Sequence, residues 1–447
     1  MAARRHPTED PGPAPRTRLR RLGPAFCFGI LLGLVITGLT FAGSIVQQDD
    51  RDAAGAGLGV AAATGAVNPP VTVPPATVPP ATVPPATGPG VTPGAAPQGT
   101  TSARPATSPA AAGDAITVAW AGDIVLGSQY GLPPDRARRV FAGVAPVLRD
   151  ADLTIGNYEG TFGRGGSSKC GASPSGMCFA FQAPPENAAA LEAAGFDVMN
   201  LANNHALDYG ESGLHQTIQA LDRVHVKHAG LPGSVTTVRV KGRRVAIIGF
   251  APYKWATSLT DIPAARALVT RAARRSDLVI VLIHAGAEGS DKTHTPRGTE
   301  TAFGEDRGDS RAFAQAVVEG GADLVLGSGP HVLRGMERIH DRVVAYSLGN
   351  FAGHTNFGMG GVLSSSGILR VKLGPTGRAL SGKLTSVVLT GPGTPTLDPS
   401  GASARLVGRL SREDFGHRRV PLDAEGRFGQ ARRDALRSAR ARRAAAD

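Results

Sequence analysis

The sequence lacks the short motifs of several well-known enzyme classes. Its 447 residues contain no GxSxG, no GxxxxGKS/T and no GxGxxG pattern. These absences disfavour a serine hydrolase built on a nucleophile elbow and a protein that binds nucleotides through a glycine-rich loop. Aromatic residues make up only 5% of the chain, and no basic patch with interleaved aromatic residues is present. The composition therefore gives no support to nucleic-acid binding.

Positive charge is concentrated at the two ends of the chain. The formal net charge is +12, of which residues 1–23 and residues 431–447 contribute +4 each. The high isoelectric point thus reflects the ends more than the middle. We interpret the basic C-terminal tail, residues 429–447, as a solvated helix that could touch anionic envelope polymers.

One long apolar segment follows the basic N-terminal residues. Residues 22–48 carry no charged side chain and are long enough to cross a bilayer as a helix. We predict a transmembrane anchor over residues 24–46, with the arginine-rich residues 1–23 in the cytoplasm and the main domain outside the cell. The alternative is a cleaved signal peptide, although Thr40-Phe41-Ala42 matches a small-residue cleavage site poorly.

A segment of low complexity comes next. Residues 50–114 are mostly Ala, Gly, Pro and Thr, and the pentapeptide VPPAT occurs three times in tandem between Val73 and Thr87. Too few large apolar side chains are present to offset the loss of chain entropy on folding. We therefore predict a disordered, polyproline-like linker that holds the following domain away from the membrane.

The chain from residue 115 to residue 428 has the pattern of a folded α/β domain. Short apolar runs typical of buried strands alternate with alanine-rich helical patterns. Residues 235–250 predict a hairpin that turns at Lys241-Gly242, and the run 343–351 predicts a further strand. Helices are predicted over residues 136–149, 185–194, 213–221, 263–275 and 309–319.

Five of the predicted strands run directly into side chains that can bind a metal ion. These side chains are Asp123, Glu159, Asn204 with His205, His284 and His331. If the strands lie side by side in one sheet, their carboxyl ends converge and bring these groups together. Carboxylate, amide and imidazole ligands suit Mn²⁺, Fe or Zn²⁺ better than Ca²⁺. We therefore predict a divalent metal site at this edge of the sheet.

The stretch around Asn203, Asn204, His205 and Asp208 holds the densest group of reactive side chains. We predict that His205 protonates a leaving group and that Asp208 orients its ring. A structural interpretation stays open, because Asn and Asp are frequent turn and cap residues. Each of the later histidines could likewise be a hydrogen-bonded core residue.

Cys170 and Cys178 are the only cysteines that follow the apolar N-terminal segment. They lie in a loop rich in Gly and Ser. Outside the cytoplasm such a close pair could form a disulfide, although the sequence alone does not fix its geometry.

Six motifs occur in order between residue 116 and about residue 355. They are AGDIVLG at 121–127, NYEG at 157–160, NLANNHALDYGESGL at 200–214, IHAGAE at 283–288, GADLVLGSGPHVLRGME at 321–337 and YSLGNF at 346–351. Together they resemble the CapA family, which is associated with synthesis of poly-γ-glutamate capsules. That family is similar to the calcineurin-like metallophosphoesterases. The resemblance therefore implies a four-layer α/β/β/α sandwich with a dinuclear metal site at the strand ends.

The resemblance also implies roles for individual residues. Asp123 corresponds to the first metal-binding carboxylate and Glu159 to the bridging acid. Asn204 corresponds to a metal-binding asparagine, and His205 beside it to a catalytic histidine. His284 and His331 correspond to the later histidine ligands.

Three positions depart from the metallophosphoesterase pattern. Val125 stands where the first motif, Asp-x-His, has its histidine. The last motif, Gly-His-x-His, is replaced by a stretch that keeps only His331, and Glu159 takes the place of a bridging aspartate. The number of ions, one or two, therefore stays open.

The expected function is that of a membrane-anchored, extracytoplasmic protein that acts in synthesis, export or attachment of an anionic capsule polymer such as poly-γ-glutamate. As an enzyme it would use a metal to hydrolyse or transfer a phosphoester or a γ-amide. The alternative is a non-catalytic assembly or polymer-binding factor with a degenerate metal site. Expected partners are the membrane, the polymer and the ligase subunits of capsule synthesis.

Overall fold

The computed structural model describes residues 114–171 and 178–429. The predicted transmembrane anchor lies outside these ranges, as do nearly all of the predicted linker and basic tail. Within the described ranges, no helix has both the length and the apolar composition that crossing a bilayer requires.

Strands and helices alternate along the described residues. The strands are β1 Ile116–Val125, β2 Leu153–Tyr158, β3 Thr161–Phe162, β4 Gln182–Ala183, β5 Val198–Asn200, β6 Lys227–Ala229, β7 Thr236–Val240, β8 Arg243–Ala251, β9 Thr257–Ser258, β10 Leu278–His284, β11 Thr301–Ala302, β12 Glu305–Asp306, β13 Leu324–Ser328, β14 Met336–Ile339, β15 Arg342–Ala345, β16 Asn350–Gly353, β17 Ser365–Leu373, β18 Ala379–Thr390, β19 Thr394–Leu397 and β20 Arg427–Gly429. The α-helices are α1 Ala145–Arg149, α2 Ala189–Ala194, α3 Gly210–Arg223, α4 Ile262–Ala273, α5 Ser310–Gly320 and α6 Ala402–Phe415. Short 3-10 helices occupy Pro134–Ala137, Pro185–Ala188, Gly361–Ser364 and Gly416–Arg418.

The first sheet has nine strands, of which four come from the early part of the domain and five from its end. Its order is β19-β18-β17-β1-β2-β5-β6, with β16 paired to β1 and β20 paired to β18. Strands β1, β2, β5 and β6 run parallel to one another. Their carboxyl ends therefore lie along one edge of the sheet.

The second sheet has seven strands in the order β14-β15-β13-β10-β8-β7, with β9 paired to β8. Strands β8, β10, β13 and β15 are parallel. All seven residues of β10, LVIVLIH, are buried, as is typical of a parallel strand that is covered on both faces. Helices α4 and α5 pack on its outer face, and each begins with an aspartate cap, which stabilises a helix by about 1 kcal/mol.

The two sheets pack against each other and helices cover their outer faces. The core between the sheets joins Trp120 and Ile155 of the first sheet to Ile247 and Ile280 of the second. Trp120 Nε1 also donates a hydrogen bond across this interface to the Gly327 carbonyl at 3.1 Å. Helices α1, α2 and α3 pack on the first sheet. The predicted mixed α/β fold is thus confirmed, with its layers in the order helices, sheet, sheet, helices.

The helix predicted over residues 136–149 is mostly wrong. Only Ala145–Arg149 is α-helical, and residues 135–137 have φ values between 54° and 63°. Such left-handed backbone cannot continue a right-handed helix. Pro146 lies in the first turn of α1, where proline favours a helix start. The other predicted helices and the hairpin at Lys241-Gly242 are present, with ends shifted by a few residues.

The single strand predicted over residues 343–351 is also wrong. The run forms the end of β15 in the second sheet and the start of β16 in the first. Gly349, with a φ of 67°, lies between them and redirects the chain. Because the chain passes here from the second sheet to the first, the YSLGNF motif lies beside the strand ends that carry the predicted ligands.

Candidate metal centre

Loops and strand ends from both sheets carry the predicted ligands. The first sheet supplies Asp123 near the end of β1, Glu159 directly after β2, and Asn204 with His205 in the loop after β5. The second sheet supplies His284 at the end of β10 and His331 three residues after β13. The five strands therefore do not share one sheet, and that prediction is wrong. The first sheet contributes the oxygen ligands, and the second contributes two imidazoles.

A glycine contact positions Asp123. Its backbone N–H donates to the Gly349 carbonyl at 3.0 Å. A Cβ atom on the preceding residue, Gly122, would lie only 1.9 Å from that carbonyl oxygen. Position 122 therefore requires glycine, and the YSLGNF motif fixes where the first carboxylate lies.

Three of the predicted ligands lie close enough to share an ion, and a fourth, His331, contacts two of them. One ligand atom each of Asp123, Glu159 and His284 lies within 4.8 Å of the others. Glu159 Oε1 is 3.4 Å from His284 Nε2. His331 Nδ1 is 3.1 Å from Asp123 Oδ2 and 3.8 Å from Glu159 Oε2. Atoms that bind a common ion at about 2.1 Å are themselves about 3–4 Å apart, so these spacings match a metal site.

Buried polar atoms without hydrogen bonds test whether an ion fits here. Six of the twelve such atoms among the described residues belong to predicted ligands, namely Asp123 Oδ2, both carboxylate oxygens of Glu159, His284 Nε2, His331 Nδ1 and Asn204 Oδ1. Within residues 114–171 and 178–429, none of the six has a hydrogen-bond partner. Each such atom costs about 1–3 kcal/mol. Asp123, Glu159, His284 and His331 therefore fit a divalent cation, because a shared ion would satisfy their oxygen and nitrogen atoms.

Burial and neighbouring charges shift the pKa values of the residues in this cluster. Burial raises the pKa of Glu159 well above its usual range, and the charge of Asp123 raises it further. Burial also raises the pKa of Asp123, but contact with His331 and the charges of both histidines outweigh this effect and lower it. Burial lowers the pKa of His284 to about 3. Burial lowers the pKa of His331 as well, but the charges of Glu159 and Asp123 raise it to about 10. Without an ion, His331 therefore holds a proton that a cation must displace.

Asn157 lies at the centre of the hydrogen-bond network beneath the cluster. Its Nδ2 donates to Asp123 Oδ1 at 2.9 Å and lies 3.3 Å from His284 Nδ1. Its Oδ1 accepts from Asn200 at 2.9 Å and from Asn203 at 3.3 Å. Asn157 therefore orients one ligand from each sheet and ties both to the loop that carries Asn204.

His205 and Asp208 form a hydrogen-bonded pair beside the cluster. His205 Nδ1 lies 2.9 Å from Asp208 Oδ2 and 3.1 Å from Asp208 Oδ1. Lys169 Nζ lies 2.7 Å from Asp208 Oδ1, and the Phe181 N–H donates to Asp208 Oδ2 at 2.6 Å. The Asp208 carboxylate accepts a hydrogen bond from the Nδ1–H of His205, which leaves Nε2 as the nitrogen that can exchange a proton.

Glu288 faces the opposite side of the His331 ring. Its Oε2 lies 3.6 Å from His331 Nε2, and its Oε1 accepts from Arg307 at 2.7 Å. His331 itself has a φ of 61°, a conformation that costs a residue other than glycine about 1–3 kcal/mol and that clusters at functional sites. A carboxylate behind a ligating imidazole orients the ring toward the metal.

Sequence reasoning did not assign roles to Asn157, Glu288 and Lys169. The first two lie inside the NYEG and IHAGAE motifs, and this position in a motif could have indicated a functional role. Lys169 lies in a loop rich in Gly and Ser, and nothing in the sequence links it to Asp208. The disulfide left open from the sequence is present between Cys170 and Cys178.

Comparison with known proteins gives a family match over the site. A family model described as "Bacterial capsule synthesis protein PGA_cap" matches residues 117–355. This range exceeds half of the chain and contains all seven predicted site residues, which are Asp123, Glu159, Asn204, His205, Asp208, His284 and His331.

Two curated relatives match about half of this chain. The "Capsule biosynthesis protein CapA" of Bacillus anthracis is 30% identical over 263 residues, which cover 53% of this chain and 59% of that protein. The "PGA biosynthesis protein CapA" of Bacillus subtilis strain 168 is 26% identical over 257 residues, which cover 53% of this chain and 63% of that protein. The matched region thus spans about three fifths of the length of these relatives.

Solved structures are more distant. A Staphylococcus aureus protein, described provisionally as a 5′-nucleotidase and solved in complex with alpha-ketoglutarate, is 14% identical with a TM-score of 0.37. The match covers 66% of this chain and 58% of that one. A likeness at this level supports no conclusion about activity.

Proposed function

Since the chain belongs to the bacterial capsule synthesis protein family PGA_cap, we propose that it acts in synthesis, export or attachment of an anionic capsule polymer such as poly-γ-glutamate. We place the site outside the cytoplasm, at the end of the linker that follows the anchor proposed for residues 24–46. The two relatives named for capsule or PGA biosynthesis support this role. Ligase subunits of capsule synthesis are the expected protein partners.

The activity that the site supports best is metal-dependent hydrolysis or transfer at a phosphoester or a γ-amide, as in the calcineurin-like metallophosphoesterases. The observation that carries this proposal is that Asp123, Glu159 and His284 present buried polar atoms without hydrogen-bond partners among the described residues, and that one ligand atom of each lies within 4.8 Å of the others. Asp123, Glu159 and His284 would hold the ion, with Asn204 and His331 as further ligands. A divalent cation supplies a Lewis acid, which acidifies water and neutralises charge on a phosphoryl or carbonyl oxygen.

The protein's own residues supply the proton chemistry. His205 Nδ1 is occupied by Asp208, so Nε2 can give a proton to a leaving group. Asp208 fixes the orientation and the tautomer of the ring. Phe181 packs on the His205 ring with centroids 4.4 Å apart, which limits the entry of water on that face.

A second candidate function is a non-catalytic assembly or polymer-binding factor. Val125 and the stretch that ends at His331 lack two histidines of the metallophosphoesterase pattern, and this loss favours a degenerate site. Such a protein would bind the ion and the polymer without turnover.

Turnover by the full-length protein separates the two candidates. Wild-type protein loaded with Mn²⁺ or Zn²⁺ is assayed on a phosphodiester and on poly-γ-glutamate, beside His205→Ala. Loss of a general acid lowers the rate by about 10²–10⁴-fold. His215→Ala is the matched control, because His215 is an exposed histidine on α3 and its loss is expected to leave the rate unchanged. Metal binding with no wild-type turnover on either substrate supports the assembly factor and contradicts the hydrolase.

A further inference from the structure

Residues on both sides of a loop that is closed by a disulfide contact Asp208. Cys170 and Cys178 are bonded, with Cα atoms 5.7 Å apart. Lys169 immediately precedes the first cysteine, and Phe181 lies three residues after the second. Both of these flanking residues touch Asp208.

Lys169 makes three polar contacts with one short segment. Its Nζ lies 2.7 Å from Asp208 Oδ1 and donates to the Asn204 carbonyl at 3.1 Å. Its backbone N–H donates to the Asp208 carbonyl at 2.8 Å. The residue therefore bridges the two ends of the segment that carries His205.

Phe181 holds the same pair from the other side. Its N–H donates to Asp208 Oδ2 at 2.6 Å, and its ring lies 4.4 Å from the His205 ring at an interplanar angle of 36°. Asp208 is fully buried. A buried carboxylate needs both charge neutralisation and hydrogen-bond donors to stay in one orientation.

From these contacts we propose that Lys169 is a positioning residue for the His205–Asp208 pair and that the Cys170–Cys178 disulfide keeps Lys169 and Phe181 in place on Asp208. Lys169 neutralises the carboxylate and fixes the segment from Asn204 to Asp208. The disulfide restricts how far the two flanking residues can separate. The catalytic consequence rests on the proposed function, whereas the positional consequence does not.

Hydrogen exchange in the full-length protein, followed by mass spectrometry, tests the positional part. Lys169→Met keeps the length of the side chain but removes its charge. It should speed exchange about tenfold in the peptides that contain the Phe181 amide and residues 205–209, since a charge-assisted hydrogen bond is lost. The double variant Cys170→Ser with Cys178→Ser should do the same. Lys169→Arg should leave hydrogen exchange in these peptides at the wild-type rate, because a guanidinium can make the same ion pair.

The matched control is Lys372→Met, which removes an exposed lysine on β17 and should leave exchange in these peptides unchanged. Faster exchange over the whole domain in Lys169→Met would indicate a general structural role and overturn the proposal. Wild-type exchange at residues 181 and 205–209 in Lys169→Met would also overturn it.

Kinetics test the catalytic part on whichever substrate the wild type turns over. Lys169→Met should lower kcat about tenfold with little change in KM, because the binding surface stays and the acid is misplaced. Lys169→Arg should recover most of kcat. An unchanged kcat in Lys169→Met contradicts the positioning role. Absence of wild-type turnover contradicts the hydrolase proposal instead, and the exchange data then decide the role of Lys169.

Discussion

Buried side chains define what the site can do. Asp123, Glu159 and His284 are almost fully buried, yet several of their polar atoms have no hydrogen-bond partner among the described residues. Proteins seldom leave such groups unsatisfied. Beneath them, Asn157 makes hydrogen bonds through both its amide nitrogen and its amide oxygen, and so helps to hold ligands from both sheets in place. The contrast between hydrogen-bonded groups below and unpaired groups above marks the position where we propose that an ion binds.

Asn157→Ala should destabilise the protein by about 2–4 kcal/mol, because it leaves buried partners on Asp123 and Asn200 unpaired. Urea unfolding monitored by circular dichroism measures the change. Gln219→Ala, which removes an exposed amide on α3, should change stability by less than about 0.5 kcal/mol. Equal stability of the two variants would refute the supporting role of Asn157.

Metal affinity should rise with pH and binding should release protons. Against the effect of burial, the carboxylates beside His331 raise its pKa to about 10, so this ligand is protonated near neutral pH in the ion-free protein. Ligands must lose their protons to bind a cation, so a higher pH favours binding. Titration calorimetry in two buffers with different ionisation enthalpies measures the released protons. An affinity that stays constant from about pH 6 to about pH 9 would contradict this account.

Close approach between β1 and β16 determines where the first ligand lies. The backbone of Gly349 occupies the space that any side chain at position 122 would need. This contact joins two motifs that are more than two hundred residues apart in the sequence. It explains in steric terms why position 122 is glycine.

Gly122→Ala should destabilise the domain by about 3 kcal/mol and weaken metal binding, because β1 must move away from Gly349. Thermal unfolding and a metal titration on the same sample measure both effects. The control is Gly143→Ala, whose Cβ would have only an ordinary contact at 3.7 Å. If Gly122→Ala behaves like this control, the steric argument fails.

The sequence was sufficient for most elements and for the prediction that Asp123, Glu159 and His284 lie close together. Apolar runs such as LVIVLIH are long and continuous, so β10 and its terminal His284 could be predicted from pattern alone. The pairing of strands could not, because apolar runs do not show which sheet a strand joins. For the same reason the division of residues 343–351 between two sheets depended on tertiary contacts. The link between Lys169 and Asp208 depended on the disulfide loop, which the sequence left open.

The whole chain combines this domain with a proposed membrane anchor and linker. An extracytoplasmic position agrees with the Cys170–Cys178 disulfide, because disulfides persist in oxidising compartments. The proposed anchor and nearly all of the proposed linker lie outside the described residues.

Protease accessibility of intact cells tests this topology. The domain should be degraded by added protease in cells stripped of their wall, while the segment before residue 24 stays protected. A variant without residues 1–48 should remain in the cytoplasm and resist the protease. Protection of the full-length domain under the same conditions would contradict the proposed orientation.

The most direct test of the metal site is the metal content of the full-length protein after equilibration with Mn²⁺ or Zn²⁺ and removal of free ions. We expect about one ion per chain or more in the wild type, and binding at least 10-fold weaker in Glu159→Gln and His284→Ala. His294→Ala is the control, because His294 is exposed and pairs with Asp414 away from these ligands. An ion bound equally well by all four proteins, or by none of them, would contradict a metal centre at the strand ends.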